Sequence, residues 1–92
     1  MFNRFGMTQN DNNSDSYFVF VKDQQTMIFK VNDRTTPHDL IVKVSERLNI
    51  PNTKITLVNR GKPYYYSDTI SFGEYNIQSQ TTFFINYVFK HT

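Results

Sequence analysis

Hydrophobic and polar positions along the chain fall into segments of distinct period. Tyr17–Lys22 (YFVFVK) is apolar on both faces and rich in aromatic and β-branched residues, which predicts a strand. Three polar residues, Asp23–Gln25, separate it from Thr26–Val31 (TMIFKV), a second strand. So short a loop requires an antiparallel hairpin. The period then changes. Leu40, Ile41, Val44 and Leu48 recur at helical spacing, with Lys43, Glu46 and Arg47 on the other side. Thr36 is a good N-cap, Pro37 suits the first helical position, and Asp39 stands three residues past the cap, where it also complements the helix dipole. Asn49 suits the left-handed C-cap and Pro51 stops continuation.

Alternation returns in Lys54–Asn59 (KITLVN), a third strand with Ile55 and Leu57 on one face. Arg60-Gly61-Lys62-Pro63 predicts a turn in which Gly61 takes positive φ. Tyr64–Tyr66 predicts a short strand before a loop at Ser67–Thr69, Ser71–Ile77 a turn with a brief helix, and Thr81–Phe89 (TTFFINYVF) the last strand. The order is ββαβ, a short β element, then β, without internal repeats. That is an α+β chain with one helix packed on a sheet.

The segment before the first strand differs. Gln9–Ser16 (QNDNNSDS) is wholly polar and cannot offset its ordering entropy by burial, so 1–16 is expected to be a flexible tail and 17–92 the domain. Phe2, Phe5 and Met7 give that tail a short apolar patch.

Composition sharpens this picture in one respect. The 92 residues include nine Phe and six Tyr. Folding hides only about 60–65% of the unfolded surface at this length, so some aromatics are expected outside. Charge adds little: the net is +2, and the ten basic residues are scattered with no two adjacent. A nucleic-acid-binding tail normally shows a block of like charge. Without Cys there is no disulfide framework or thiolate site, and this fits a cytoplasmic or nuclear setting. No apolar run is long enough to span a bilayer, and Met1–Ser16 has no signal-peptide core.

Specific residues add a resemblance. Glu74-Tyr75-Asn76-Ile77-Gln78 followed by Thr81-Thr82 is similar to the passage that leads into the last strand of ubiquitin. Ile50-Pro51 and Gly61-Lys62 match ubiquitin's I-P and G-K at the same spacing of eleven residues, and Phe20-Val21-Lys22 matches its F-V-K. The chain thus resembles the ubiquitin superfamily over Tyr17–Thr92, which implies a β-grasp fold. Asp68–Tyr75 (DTISFGEY) is locally similar to the small ubiquitin-like splicing modifiers, which act without a diglycine tail. Those proteins grip helical peptides through an acidic residue near the helix start, where this chain has Thr35. Phe29-Lys30-Val31 with Thr35-Thr36 more weakly resembles SUMO.

Conjugation in this superfamily requires a terminal diglycine, whereas this sequence reads Val88-Phe89-Lys90-His91-Thr92. The expectation is a module that acts without conjugation. No nucleophile elbow, phosphate loop or paired-carboxylate motif is present, and His38 beside Asp39 reads as an exposed or capping residue, so no enzyme is expected. No cofactor or metal is implied.

Alternation then assigns faces. Tyr17, Val19, Val21, Met27, Phe29, Val31, Leu40, Val44, Ile55, Leu57, Tyr64, Ile77, Phe83, Ile85 and Tyr87 are expected in the core with Phe72, flanked by Ile41 and Leu48. The opposite sheet face is expected to carry Phe18, Phe20, Lys22, Ile28, Lys30, Thr56, Val58, Phe84 and Asn86. Ubiquitin meets partners there through an isoleucine, histidine and valine patch. The resemblance places Val58, Phe84 and Asn86 at those positions. The candidate protein-binding residues are therefore Phe20, Ile28, Val58 and Phe84, rimmed by Lys22, Lys30, Arg60 and Lys62, which favour acidic partners. The expected function is a non-covalent protein-interaction module, monomeric or weakly self-associating. The alternatives are a conjugated modifier and, behind it, a single-stranded nucleic-acid binder that stacks bases on the sheet aromatics.

Overall fold

A computed structural model describes residues 15–88. The expected tail lies almost wholly outside the described residues, as do Phe89 and the residues after it. Strands β1 (Tyr17–Lys22) and β2 (Thr26–Val31) form the expected antiparallel hairpin, in unbroken register from Tyr17 opposite Val31 to Lys22 opposite Thr26. Helix α1 (Pro37–Leu48) starts on a complete capping box. The Thr36 hydroxyl accepts from the Asp39 N–H at 3.1 Å, and the Asp39 carboxylate accepts from the Thr36 N–H at 3.1 Å. Two donors left open by the first helical turn are thereby satisfied. Asn49 closes the helix in the left-handed conformation, φ 59°.

A 3₁₀ turn at Asn52–Lys54 takes the first residue of the expected third strand, so β3 is Ile55–Asn59. Two residues with positive φ, Arg60 (53°) and Gly61 (80°), turn the chain directly into β4 (Lys62–Tyr64). The expected four-residue turn is thus a tight hairpin of the mirror-image kind, which suits the right-handed twist of strands. The short strand falls two residues earlier than expected, with Pro63 inside it at the sheet edge, where a missing N–H is tolerated. Helix α2 (Phe72–Tyr75) and strand β5 (Thr82–Tyr87) complete the chain.

The sheet order is β2-β1-β5-β3-β4, with β1 and β5 parallel in the middle and all other pairs antiparallel. Helix α1 covers one face. Val19, Val21, Met27, Phe29, Val31, Ile55, Leu57 and Phe83 bury there against Leu40, Ile41 and Val44. Ile41 is fully enclosed rather than flanking, so the helix buries a wider stripe than its period alone suggests. An aromatic ladder closes one end. Phe72 stacks on Phe83 at 5.9 Å, Phe83 meets Tyr64 edge-on at 5.6 Å, and Tyr64 meets Tyr75 edge-on at 5.0 Å. Backbone bonds latch α2 to the loop before α1, with the Phe72 N–H donating to the Thr35 carbonyl at 2.7 Å and the Gly73 N–H to the Asp33 carbonyl at 2.9 Å. A Cβ on Gly73 would lie 3.1 Å from the Asp33 Cβ and 3.2 Å from its carbonyl oxygen, so close approach explains this glycine.

Candidate functional site

The helix leaves the opposite sheet face uncovered, and the strand registers say which side chains share it. Phe18, Phe20 and Lys22 project there from β1, Ile28 and Lys30 from β2, Phe84 and Asn86 from β5, and Val58 from β3, because their alternates Val19, Val21, Phe29, Leu57 and Phe83 are buried against α1. Phe20 stands directly opposite Ile28, and Val58 directly opposite Phe84. Across the central parallel pair, Phe20 aligns with Thr82 and Lys22 with Phe84. The apolar surface is therefore two cross-strand pairs joined on a diagonal, with Thr82 and Lys22 filling the other corners. Diagonal neighbours of this kind lie about 7–8 Å apart at Cα, within reach of aromatic side chains.

Exposure follows from strand neighbours. Ile28 on the edge strand is 55% exposed, and Phe18 and Phe84 are each 51% exposed. Phe20, between β2 and β5, is half-buried, and so is Val58. Phe18 is open although the chain entering β5 runs beside it, the Gln80 N–H donating to the Phe18 carbonyl at 2.7 Å. Two expectations are corrected here. Thr56 is buried, although its position in the alternation points outward; the β3–β4 register, extended one residue past Tyr64, sets the exposed Tyr65 across from it. Lys62 does not rim this face. The two-residue turn gives it the same side of β4 as the buried Tyr64, and its ammonium sits 5.2 Å from the Tyr64 ring and 5.1 Å from the Tyr75 ring. Lys22 and Lys30 remain exposed on the sheet face, and none of its described positions is acidic.

Beside Phe84 the face continues into an open cleft of about 630 Å³ between the β3–β4 turn and the segment entering β5. Asn59, Arg60, Gln78, Gln80 and Thr82 give it a largely neutral polar wall, which the sheet alternation did not reveal. The Asn59 amide donates to the Thr82 carbonyl at 2.9 Å and ties the two walls together. Arg60 is its described cation, held at the turn by its left-handed backbone.

Polar chemistry elsewhere serves the fold. The Tyr17 hydroxyl donates to the Ile77 carbonyl at 3.1 Å, and the Tyr87 hydroxyl to the Asp23 carboxylate at 2.7 Å. Burial is the main cause that raises both phenols above the ordinary value, with Asp33 and Asp23 adding to it. The Tyr75 hydroxyl donates to the Asp68 carboxylate, a bond that pushes its pKa up to about 12. His38 is half-buried rather than exposed; its Nδ1 donates to the Tyr66 carbonyl at 2.8 Å while its ring meets that of Tyr66 at a tilt, centroids 4.5 Å apart. Among the described residues no His, Asp or Glu group gathers to hold a metal ion, and no helix is long and apolar enough to cross a membrane.

No protein-family model matches the sequence, and no curated protein matches it. The architecture is nevertheless shared. The solution NMR structure of the ubiquitin-like domain of the Arabidopsis thaliana protein At2g32350 aligns with a TM-score of 0.69 at 20% sequence identity, over 78% of this chain and 77% of that one. At that identity the likeness establishes the fold, which is the α+β β-grasp of ubiquitin-like domains.

Proposed function

We propose that this chain is a ubiquitin-like docking module that binds other proteins non-covalently through the sheet face opposite α1. The observation that carries the proposal is the group of Phe20, Ile28, Val58 and Phe84, with Phe18 beside it, which α1 leaves on the opposite face of the sheet, a face whose described charges, Lys22 and Lys30, are both positive. Covering the exposed halves of Phe18, Ile28 and Phe84 contributes about 1–2 kcal/mol each. Association costs about 4–15 kcal/mol, so the apolar surface alone gives weak binding. Useful affinity therefore needs a partner that also engages the lysines, which selects acidic proteins. The likeness of Asp68–Tyr75 to the splicing modifiers supports action without conjugation, and Thr35 in place of their acidic residue favours the sheet face over the helix start.

Affinity capture with wild type, Phe84→Asp and Lys62→Asp tests this. Proteins retained by wild type and by Lys62→Asp are expected to be lost with Phe84→Asp. Retention of the same proteins by Phe84→Asp would sink the assignment. Capture of oligonucleotides, with affinity falling steeply as salt rises, would instead identify a base-stacking face.

A further inference from the structure

The sequence before β1 carries apolar residues that the described fold does not use. Phe2, Phe5 and Met7 precede a polar spacer at 8–16, of which only Asp15 and Ser16 belong to the described residues. The way the chain enters β1 points this segment at the sheet face. Tyr17 pairs with Val31 on one side, and on the other the segment entering β5 bonds to Phe18 through the Gln80 N–H. The helix side of this point is occupied: the Tyr17 hydroxyl bonds the Ile77 carbonyl, and Phe72 and Gly73 are latched to Thr35 and Asp33. On the opposite side the first side chain met is Phe18, which is exposed. Ile28 and Phe84, also exposed, share that face.

The distances match the spacer. Lys22, level with Phe84 on β5, lies five residues along β1 from Tyr17, about 17 Å at a strand rise of about 3.3 Å per residue. Phe20, opposite Ile28, lies three residues along, about 10 Å. Met7 and Phe5 stand ten and twelve residues before Tyr17. A polar chain of that length has a root-mean-square span of about 16–21 Å. A tether whose span matches the distance it bridges holds its anchor at a millimolar effective concentration. Contacts too weak to hold a separate peptide therefore suffice. Charge agrees, since Asp11 and Asp15 in the spacer are opposite in sign to Lys22 and Lys30 on the face.

We propose that residues 2–7 fold back over the sheet face of their own chain, Phe2, Phe5 and Met7 covering Phe18, Phe20 and Phe84, and that a docking partner must displace them. The displacement rests on the docking proposal; the fold-back does not. Millimolar contacts at millimolar effective concentration leave open and closed forms in comparable amounts, so the segment tunes access to the face without shutting it. A second copy is a poorer occupant, because pairing two such faces sets Lys22 and Lys30 of both copies together.

The chain has no Cys, so Asn3→Cys offers a single site for a nitroxide label, read by paramagnetic broadening of ¹⁵N amide signals in the full chain. Broadening is expected to be stronger at Phe20, Ile28, Val58 and Phe84 than at Lys43 and Glu46 of α1, and to be unchanged on dilution. Phe2→Ser/Phe5→Ser carrying the same label is expected to lose that contrast, as is Phe84→Asp. Affinity for any protein captured through this face is expected to rise about twofold in Phe2→Ser/Phe5→Ser, as the closed fraction is released. Contrast present while no protein is captured would uphold the fold-back and count against the docking proposal, so the two fail separately. Equal broadening on both sides of the sheet, or contrast that survives Phe2→Ser/Phe5→Ser, would overturn the fold-back. Contrast lost on dilution would assign the face to the segment of a second copy and overturn it too.

Discussion

Asp68 illustrates how a single side chain organises its surroundings. One carboxylate oxygen accepts from the Ile70 N–H at 2.9 Å, and the other accepts from the Tyr75 phenol, whose pKa rises to about 12 mainly through that bond. A phenol that holds its proton more tightly when folded stabilises the fold in full below its ordinary pKa of 10. That contribution is lost as pH rises through 12. Asp68→Ala is expected to bring Tyr75 down toward 10, read from its ring carbons in an NMR titration, and to shift alkaline unfolding to lower pH. An unchanged Tyr75 titration would remove the Asp68 bond as the cause. At this scale the sequence was only partly legible. Asn49, Gly61 and the Thr36 cap were readable, because local backbone chemistry selects those residue types. The Asp68–Tyr75 pair and the seat of Lys62 between two tyrosines were not. Both depend on where a two-residue turn and a four-residue helix bring distant side chains.

At the scale of elements, α1 is the one most completely specified by its own residues. Its cap, apolar stripe and stop signal lie in one stretch, and the structure uses all three. Thr36→Ala is expected to lower stability by about 1 kcal/mol in denaturant unfolding, whereas Thr36→Ser is expected to cost little. Equal losses in the two variants would show that the methyl group, not the capping oxygen, matters. The strands were legible to within a residue or two, since period two leaves little freedom once one face is apolar. The edges of β3 and β4 were not. Lys54 sits in a 3₁₀ turn, and β4 begins at Lys62 because Arg60 joins Gly61 at positive φ, which a residue with a Cβ rarely adopts.

At the scale of the whole molecule, the sheet separates two roles, and adjacent residues fall on opposite sides of that division. Phe83 is 1% exposed and packs between Phe72 and Tyr64, while Phe84 is half exposed on the other face. Phe83→Ala is expected to cost about 3–5 kcal/mol of stability by calorimetry or denaturant unfolding. Phe84→Ala is expected to change stability by less than about 1 kcal/mol, because half of its surface is already solvated. Comparable losses at both positions would mean that something covers the face.

Much of this follows from the chain alone. Residue period, cap chemistry and turn residues act over a few positions, so they specify which segments become strands or helix and which side of each is apolar. They also require that some of the fifteen aromatics stay outside. Which ones do so is a tertiary outcome. Phe18 and Phe84 are open because α1 packs against the other side of the sheet, where their neighbours Val19 and Phe83 lie, and Ile28 stands in addition on an edge strand. Strand order and the placing of the β2 edge beside Lys43 and Arg47 are set by contacts between distant segments. Local period carries no record of those contacts.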